Sequence, residues 1–221
     1  MKKLIVKKME KRILTVLVIM TVFAGSICAQ GGLIDNRKKI QVGVKAGMNY
    51  SNVYDTKGEE FKSSAKAGFA GGLFLSIPIG AFIGIQPEML LSQKGFHATG
   101  RILGSAYDFT RTTTYIDVPL FLAIKPAGFL TLLVGPQFSY LLKQKNVFEN
   151  GITTVQQESE FENDNIRKNT LCFIGGVDIN LNHFIIGARA GWDSMNNNGD
   201  GTATTPRYKN TWLQGTIGIR F

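Results

Sequence analysis

From residue 40 onward, apolar and polar positions alternate with a period of two, the pattern of strands whose two faces meet different surroundings. Eight segments carry it: 40–50, 67–77, 83–94, 115–125, 130–140, 171–180, 184–193 and 211–221. In the first, Ile40, Val42, Val44, Ala46, Met48 and Tyr50 share a face, and Gln41, Gly43, Lys45, Gly47 and Asn49 share the other. In the last, Leu213, Ile217, Ile219 and Phe221 oppose Trp212, Gln214, Thr216 and Arg220. The connections alternate as well. Short ones fall at 78–81, 126–128 and 181–183, and long polar ones at 52–66, 95–113, 144–169 and 194–210. Short turns at one end and long loops at the other predict an up-and-down antiparallel sheet.

The faces differ in charge. The apolar face has no charged residue in any segment, whereas the other carries Lys45, Glu88, Lys94, Asp117, Lys125, Asp178, Arg189, Asp193 and Arg220, with most of the strand glycines. A soluble barrel turns its charges to water, and a membrane barrel turns its apolar face to lipid. Eight apolar faces supply more side chains than the lumen of eight strands can hold. Glycines would weaken a solvent-facing surface, but inside a narrow lumen they make room for long neighbours. No segment is long and apolar enough for a membrane helix, so a closed barrel is the spanning solution. The expected fold is all-β: an eight-stranded antiparallel up-and-down transmembrane β-barrel with short periplasmic turns and long extracellular loops.

The first 29 residues read as an address. Lys2, Lys3, Lys7, Lys8, Lys11 and Arg12 precede an apolar run over 13–23 and the small-residue exit Ala24-Gly-Ser-Ile-Cys-Ala29, the layout of a cleaved secretory signal peptide. Cleavage after Cys28 and after Ala29 both fit, Met9 offers an alternative start, and a retained anchor is the competing reading. Acylation of Cys28 is disfavoured by Ile27 before it. The expected organisation is a signal peptide over 1–29, a short lead over 30–38 and a barrel over 39–221. Export to the bacterial outer membrane follows. Losing six basic residues and Glu10 leaves 19 basic against 15 acidic residues, a net +4 instead of +9. That modest charge on an exported chain argues against a nucleic-acid partner. Cys172 is then the single thiol, a small packing residue without an internal disulfide.

Several stretches resemble a known family. Gly43-Val-Lys-Ala-Gly-Met-Asn-Tyr-Ser-Asn-Val53, Ile85-Gln-Pro-Glu-Met-Leu-Leu-Ser-Gln-Lys-Gly95, Tyr115-Ile-Asp-Val-Pro-Leu-Phe-Leu-Ala-Ile-Lys125, Gly135-Pro-Gln-Phe-Ser-Tyr-Leu-Leu142 and the ending Gly218-Ile-Arg-Phe221 are similar to the PorT-like outer-membrane β-barrels of Bacteroidetes-type bacteria. Asp117 stands where that family usually has Glu. The resemblance implies a small barrel of the OmpA/OmpX kind, and with the sequence ending at Phe221 no peptidoglycan-binding domain is expected. It also implies that the terminal aromatic, Phe221, serves recognition by the barrel-assembly machinery. One member of the family acts in secretion and gliding, which makes a secretion or surface-assembly complex an alternative role.

The candidate chemistry is sparse. A lipid-A hydrolase needs His, Ser and a carboxylate converging at the outer lipid surface. His183 sits in a short turn, and His97 in a long connection with Ser92 before it, so no such set forms. Asn196-Asn-Asn-Gly-Asp-Gly201 has Thr205 where a calcium loop needs Glu. Gly68-Phe-Ala-Gly-Gly72 opens no helix and cradles no phosphate. Glu158, Glu160, Glu162 and Asp164 read as a solvated loop face, with cation bridging to lipopolysaccharide or a partner contact as the functional alternative. No enzyme activity, catalytic residue, metal or cofactor is expected, with a lipid-A-modifying barrel enzyme as the lesser alternative. The expected partners are outer-membrane lipid and lipopolysaccharide, the assembly machinery, and envelope proteins reached through the loops.

The inward charges form the strongest constellation. Glu88, Asp117 and Arg189 fall near mid-height of the third, fourth and seventh segments. The expectation is a structural ion-pair network in which Arg189 meets both carboxylates across the lumen, with Lys45, Lys94 and Lys125 balancing the rest. A gated ion path is the competing reading, disfavoured by the small bore of eight strands.

Overall fold

The structure, a computed structural model, describes residues 35–55, 63–102, 105–150, 153–159, 167–197 and 208–221. The expected signal peptide over 1–29 lies outside them, as does residue 30–34 of the lead. Nine strands are described: β1 (Gln41–Asp55), β2 (Ser63–Pro78), β3 (Ile83–Ile102), β4 (Ser105–Ala127), β5 (Leu130–Asn150), β6 (Thr153–Ser159), β7 (Asn169–Leu181), β8 (Phe184–Asp193) and β9 (Tyr208–Arg220). All neighbours are antiparallel, and eight of the strands close a ring in the order β1-β2-β3-β4-β5-β7-β8-β9. Closure runs from Gly43↔Arg220 to Asp55↔Tyr208 between β1 and β9. The fold is the expected eight-stranded antiparallel barrel.

The register puts the apolar set outside. Met48, Leu213 and Ile217 are 60%, 60% and 65% exposed, and β8 alternates strictly, Phe184 and Ile186 outward and Ile185 and Arg189 inward. Because the side-chain period is two, a one-residue slip of a strand would send its charges to the apolar side. Three places absorb an extra residue: β2 between Ala65 and Ala70 against β3, β5 near Leu142, where Leu142 and Lys143 both face outward, and β4 between Ile124 and Ala127 beside its short turn. The exposed apolar belt is far larger than a water-soluble surface tolerates.

Two of the long connections are largely strand. The stretch 95–113 continues β3 and β4 as a paired hairpin to Ile102↔Ser105, and 144–169 contains the upper part of β5 paired with β6. The outward face is no longer apolar there and Phe96, Ala98 and Phe109 turn to a buried cluster instead, so the apolar alternation that marks the lower strands is lost while the backbone ladder continues. β6 lies outside the ring, joined only to β5, from Gln144↔Ser159 to Asn150↔Thr153.

Candidate functional site

The lumen is charged and layered. At mid-height, β3 supplies Glu88, β7 Asp178, β8 Arg189 and β1 Lys45, all buried. Arg189 Nη2 lies 3.1 Å from Glu88 Oε1 and 3.1 Å from Asp178 Oδ2, and Nη1 donates to Thr216 Oγ1 at 3.3 Å. Lys45 Nζ donates to Glu88 Oε1 at 2.6 Å, and Gln86 Nε2 to the same oxygen at 2.9 Å. The guanidinium also sits 5.4 Å from the Phe121 ring centroid. Charges taken out of water need such mutual pairing and extra hydrogen bonds to be tolerated.

Gly187 makes this layer possible. It is paired with Asp178 across β7 and β8, two residues from Arg189 on the inner face. A Cβ there would stand 2.5 Å from Arg189 Nη1, 2.6 Å from Asp178 Oδ1 and 2.6 Å from Thr216 Oγ1. The aromatic rings of Phe74 and Trp212 similarly occupy the space above Gly43 and Gly191.

A second layer lies toward the long loops. Lys94 Nζ is 3.0 Å from Asp117 Oδ2, 3.8 Å from the Trp212 ring centroid and 4.9 Å from that of Tyr115. Asp193 accepts from Asn210 through both its backbone N, at 3.0 Å, and its amide, and from Cys172 Sγ at 3.1 Å. Above these, Val53, Phe96 and Ala98 pack with Phe109 and Tyr208, Phe96 and Tyr208 meeting edge-on at 5.5 Å. Arg111 bonds the Tyr208 hydroxyl and, at 2.9 Å, Asn146 Oδ1.

The six charges singled out in the sequence therefore do not form one cluster. Glu88, Arg189 and Lys45 come together, Lys94 and Asp117 pair separately, and Lys125 lies at the short-turn end donating to Ser76 Oγ at 3.0 Å. The expected Arg189–Asp117 contact is replaced by Arg189–Asp178. The register explains it: Asp117 is level with Leu90, one inward position above Glu88, whereas Asp178 adjoins Arg189 on the next strand. Asp178 carried the available signal, an acid on the polar face. Its preference over Asp117 depends on register.

The other candidates separate in space. Ser92 is buried and accepts from Asn49 Nδ2 at 2.8 Å, while His97 Nδ1 contacts Thr110 Oγ1 at 2.7 Å. His183 Nδ1 lies 3.3 Å from the Arg220 carbonyl oxygen. Gly68 and Gly72 lie on β2. Phe221 is 74% exposed, its backbone N donating to the Val42 carbonyl at 2.8 Å. Residues 198–201 of the Asn/Gly loop, and the acidic side chains of 158–164, lie outside the description.

A family model for the outer membrane protein beta-barrel domain matches residues 28–198. The chain belongs to this family. The match takes in β1 through β8 and stops before β9, which closes the ring. No curated protein matches the chain in sequence. Solved structures similar to this outer-membrane barrel include Ail, the attachment invasion locus protein of Yersinia pestis, with 13% identity, TM-score 0.46, and coverage of 82% of this chain and 98% of Ail. Neisserial surface protein A is 10% identical with TM-score 0.44, covering 81% of this chain and 97% of that one. OprG from Pseudomonas aeruginosa is 12% identical with TM-score 0.39, covering 83% and 97%.

Proposed function

We propose that this outer-membrane barrel is a non-enzymatic interaction protein whose lumen is a plug and whose working surface is the sheet standing beyond the ring. Strand length carries the reading. A transmembrane strand needs about 9–11 residues. β8 has 10, but β3, β4 and β5 have 20, 23 and 21. The surplus lies at the long-loop end and continues into β6, so one side of the barrel rises well past the other. Loops and edges held on a rigid scaffold are where recognition concentrates. The paired charges across the lumen support a filled interior.

The partners in this reading are lipid and lipopolysaccharide around the apolar belt, the assembly machinery during biogenesis, and an envelope protein on the projecting sheet. The PorT-like resemblance supports a secretion or surface-assembly complex as that partner. The test is affinity capture of the tagged chain from native outer membranes with mass spectrometry. A recurrent envelope partner, lost when the projecting sheet is cut back, supports the proposal. A changed lipid A mass spectrum on deleting the gene would contradict it in favour of an enzyme. Residues 1–29 are proposed to be removed on export, and N-terminal sequencing of membrane-purified protein should read from Ala29 or Gln30.

A further inference from the structure

The buried charges sort by height. Toward the long loops, Lys94 faces Asp117 and shares its layer with Asp193; at mid-height, Lys45 and Arg189 face Glu88 and Asp178. At the short-turn end, Lys125 and Arg220 are buried, 4% and 5% exposed, and line one pocket with no acidic residue among the described residues that form it. Gln86, which lines the same pocket, directs its amide to Glu88 and Asp178 and so walls the carboxylates of the middle layer off from it.

The hydrogen bonds at this end are all to neutral acceptors. Lys125 Nζ has Ser76 Oγ at 3.0 Å. Arg220 uses Nε on the Asn182 carbonyl and Nη1 on Gln41 Oε1 and Asn180 Oδ1, both at 3.2 Å. Two N–H groups of Lys125 and the Nη2 group of Arg220 have no acceptor among the described residues. Two cations facing one pocket without a counter-charge repel each other. An anion supplies what the protein does not.

We propose that this pocket binds a single small inorganic anion, held between Lys125 Nζ and the Arg220 guanidinium. The room available limits the occupant to one. The cavity offers about 20 Å³ to the centres of water-sized atoms, enough for a single small occupant. Ser76 adds a hydroxyl whose oxygen already accepts from Lys125, leaving its proton to donate. Arg37, stacked 5.4 Å from the Phe82 ring, also lines the pocket and adds positive potential. A monovalent occupant would halve the +2 charge that Lys125 and Arg220 place at this end.

The test uses the refolded full barrel. Crystals soaked in bromide should show an anomalous peak between Lys125 and Arg220. In detergent at fixed ionic strength, replacing gluconate by chloride should raise the urea unfolding midpoint to a plateau. Lys125→Met should remove both the peak and the chloride dependence. Bromide absent from the pocket, or an unchanged chloride response in Lys125→Met, would overturn the proposal.

Discussion

Arg189 on β8 reaches across the barrel to Glu88 on β3, 3.1 Å from Nη2 to Oε1, and the same nitrogen holds Asp178 on β7. Three strands lie between β3 and β8 in either direction around the ring, so this contact ties opposite walls together. Such a tie fixes register as well as filling space, because shifting either strand by one residue points its charge at lipid.

The two carboxylates are not equivalent. Without Arg189, Glu88 keeps Lys45 at 2.6 Å, while Asp178 keeps no ion-pair partner among the described residues. Arg189→Leu should cost up to ~3–5 kcal/mol, the loss typical of stranding one partner of a buried pair, lessened by any water in the lumen. Adding Asp178→Asn should recover more of that loss than adding Glu88→Gln. Urea unfolding in detergent checks it. Wild-type stability in Arg189→Leu, or better rescue by Glu88→Gln, would contradict the assigned pairing.

Gly187→Ala should destabilise the barrel by about 1–3 kcal/mol, the range for overfilling a packed site. The added methyl meets Arg189, Asp178 and Thr216 at once. Gly215 points outward with nothing within 4 Å of its Cβ position, so Gly215→Ala should be neutral, or stabilising by up to about 1 kcal/mol through the restricted backbone. Equal effects in paired unfolding curves would refute the close-packed layer.

The strand pattern of the membrane segment was legible because lipid outside and charge inside impose opposite chemistries on successive residues. Ile185 and Ile186 show the limit: both are apolar, yet one is buried and the other half-exposed, and only the continuing register assigns them. Above the membrane that contrast ends, so Thr110, Thr112 and Thr114 read as loop although β4 runs through them. The lumen was legible as a set of charges but not as pairs. Choosing Asp178 over Asp117 requires the relative heights of the strands, which depend on turn lengths and on the register shifts.

Phe221 tests assembly separately from stability. Its exposed ring touches the belt rather than the lumen, and its backbone alone joins β1. Phe221→Ala should lower outer-membrane yield in cells more than it lowers the unfolding midpoint of protein refolded in vitro. Quantitative blotting of membrane fractions against urea curves decides it, and an unchanged yield would remove the assembly role.

The projecting hairpin should be dispensable for the barrel. Joining Thr99 to Asp108, a cross-strand pair, through an Asn-Gly turn removes residues 100–107 and preserves Phe96 and Phe109. Two-residue turns of that type suit antiparallel strands. The shortened protein should refold with a midpoint within ~0.5 kcal/mol of wild type and lose its partner in the capture experiment. Retention of the partner would move the working surface elsewhere.

The central claim is that the interior is a plug built from paired charges, and single-channel recording in planar bilayers tests it most directly. Wild-type protein should give no steady conductance across a range of voltages, and Arg189→Leu combined with Lys45→Leu should add brief openings as the middle layer loosens. A steady open channel in the wild type would contradict the account.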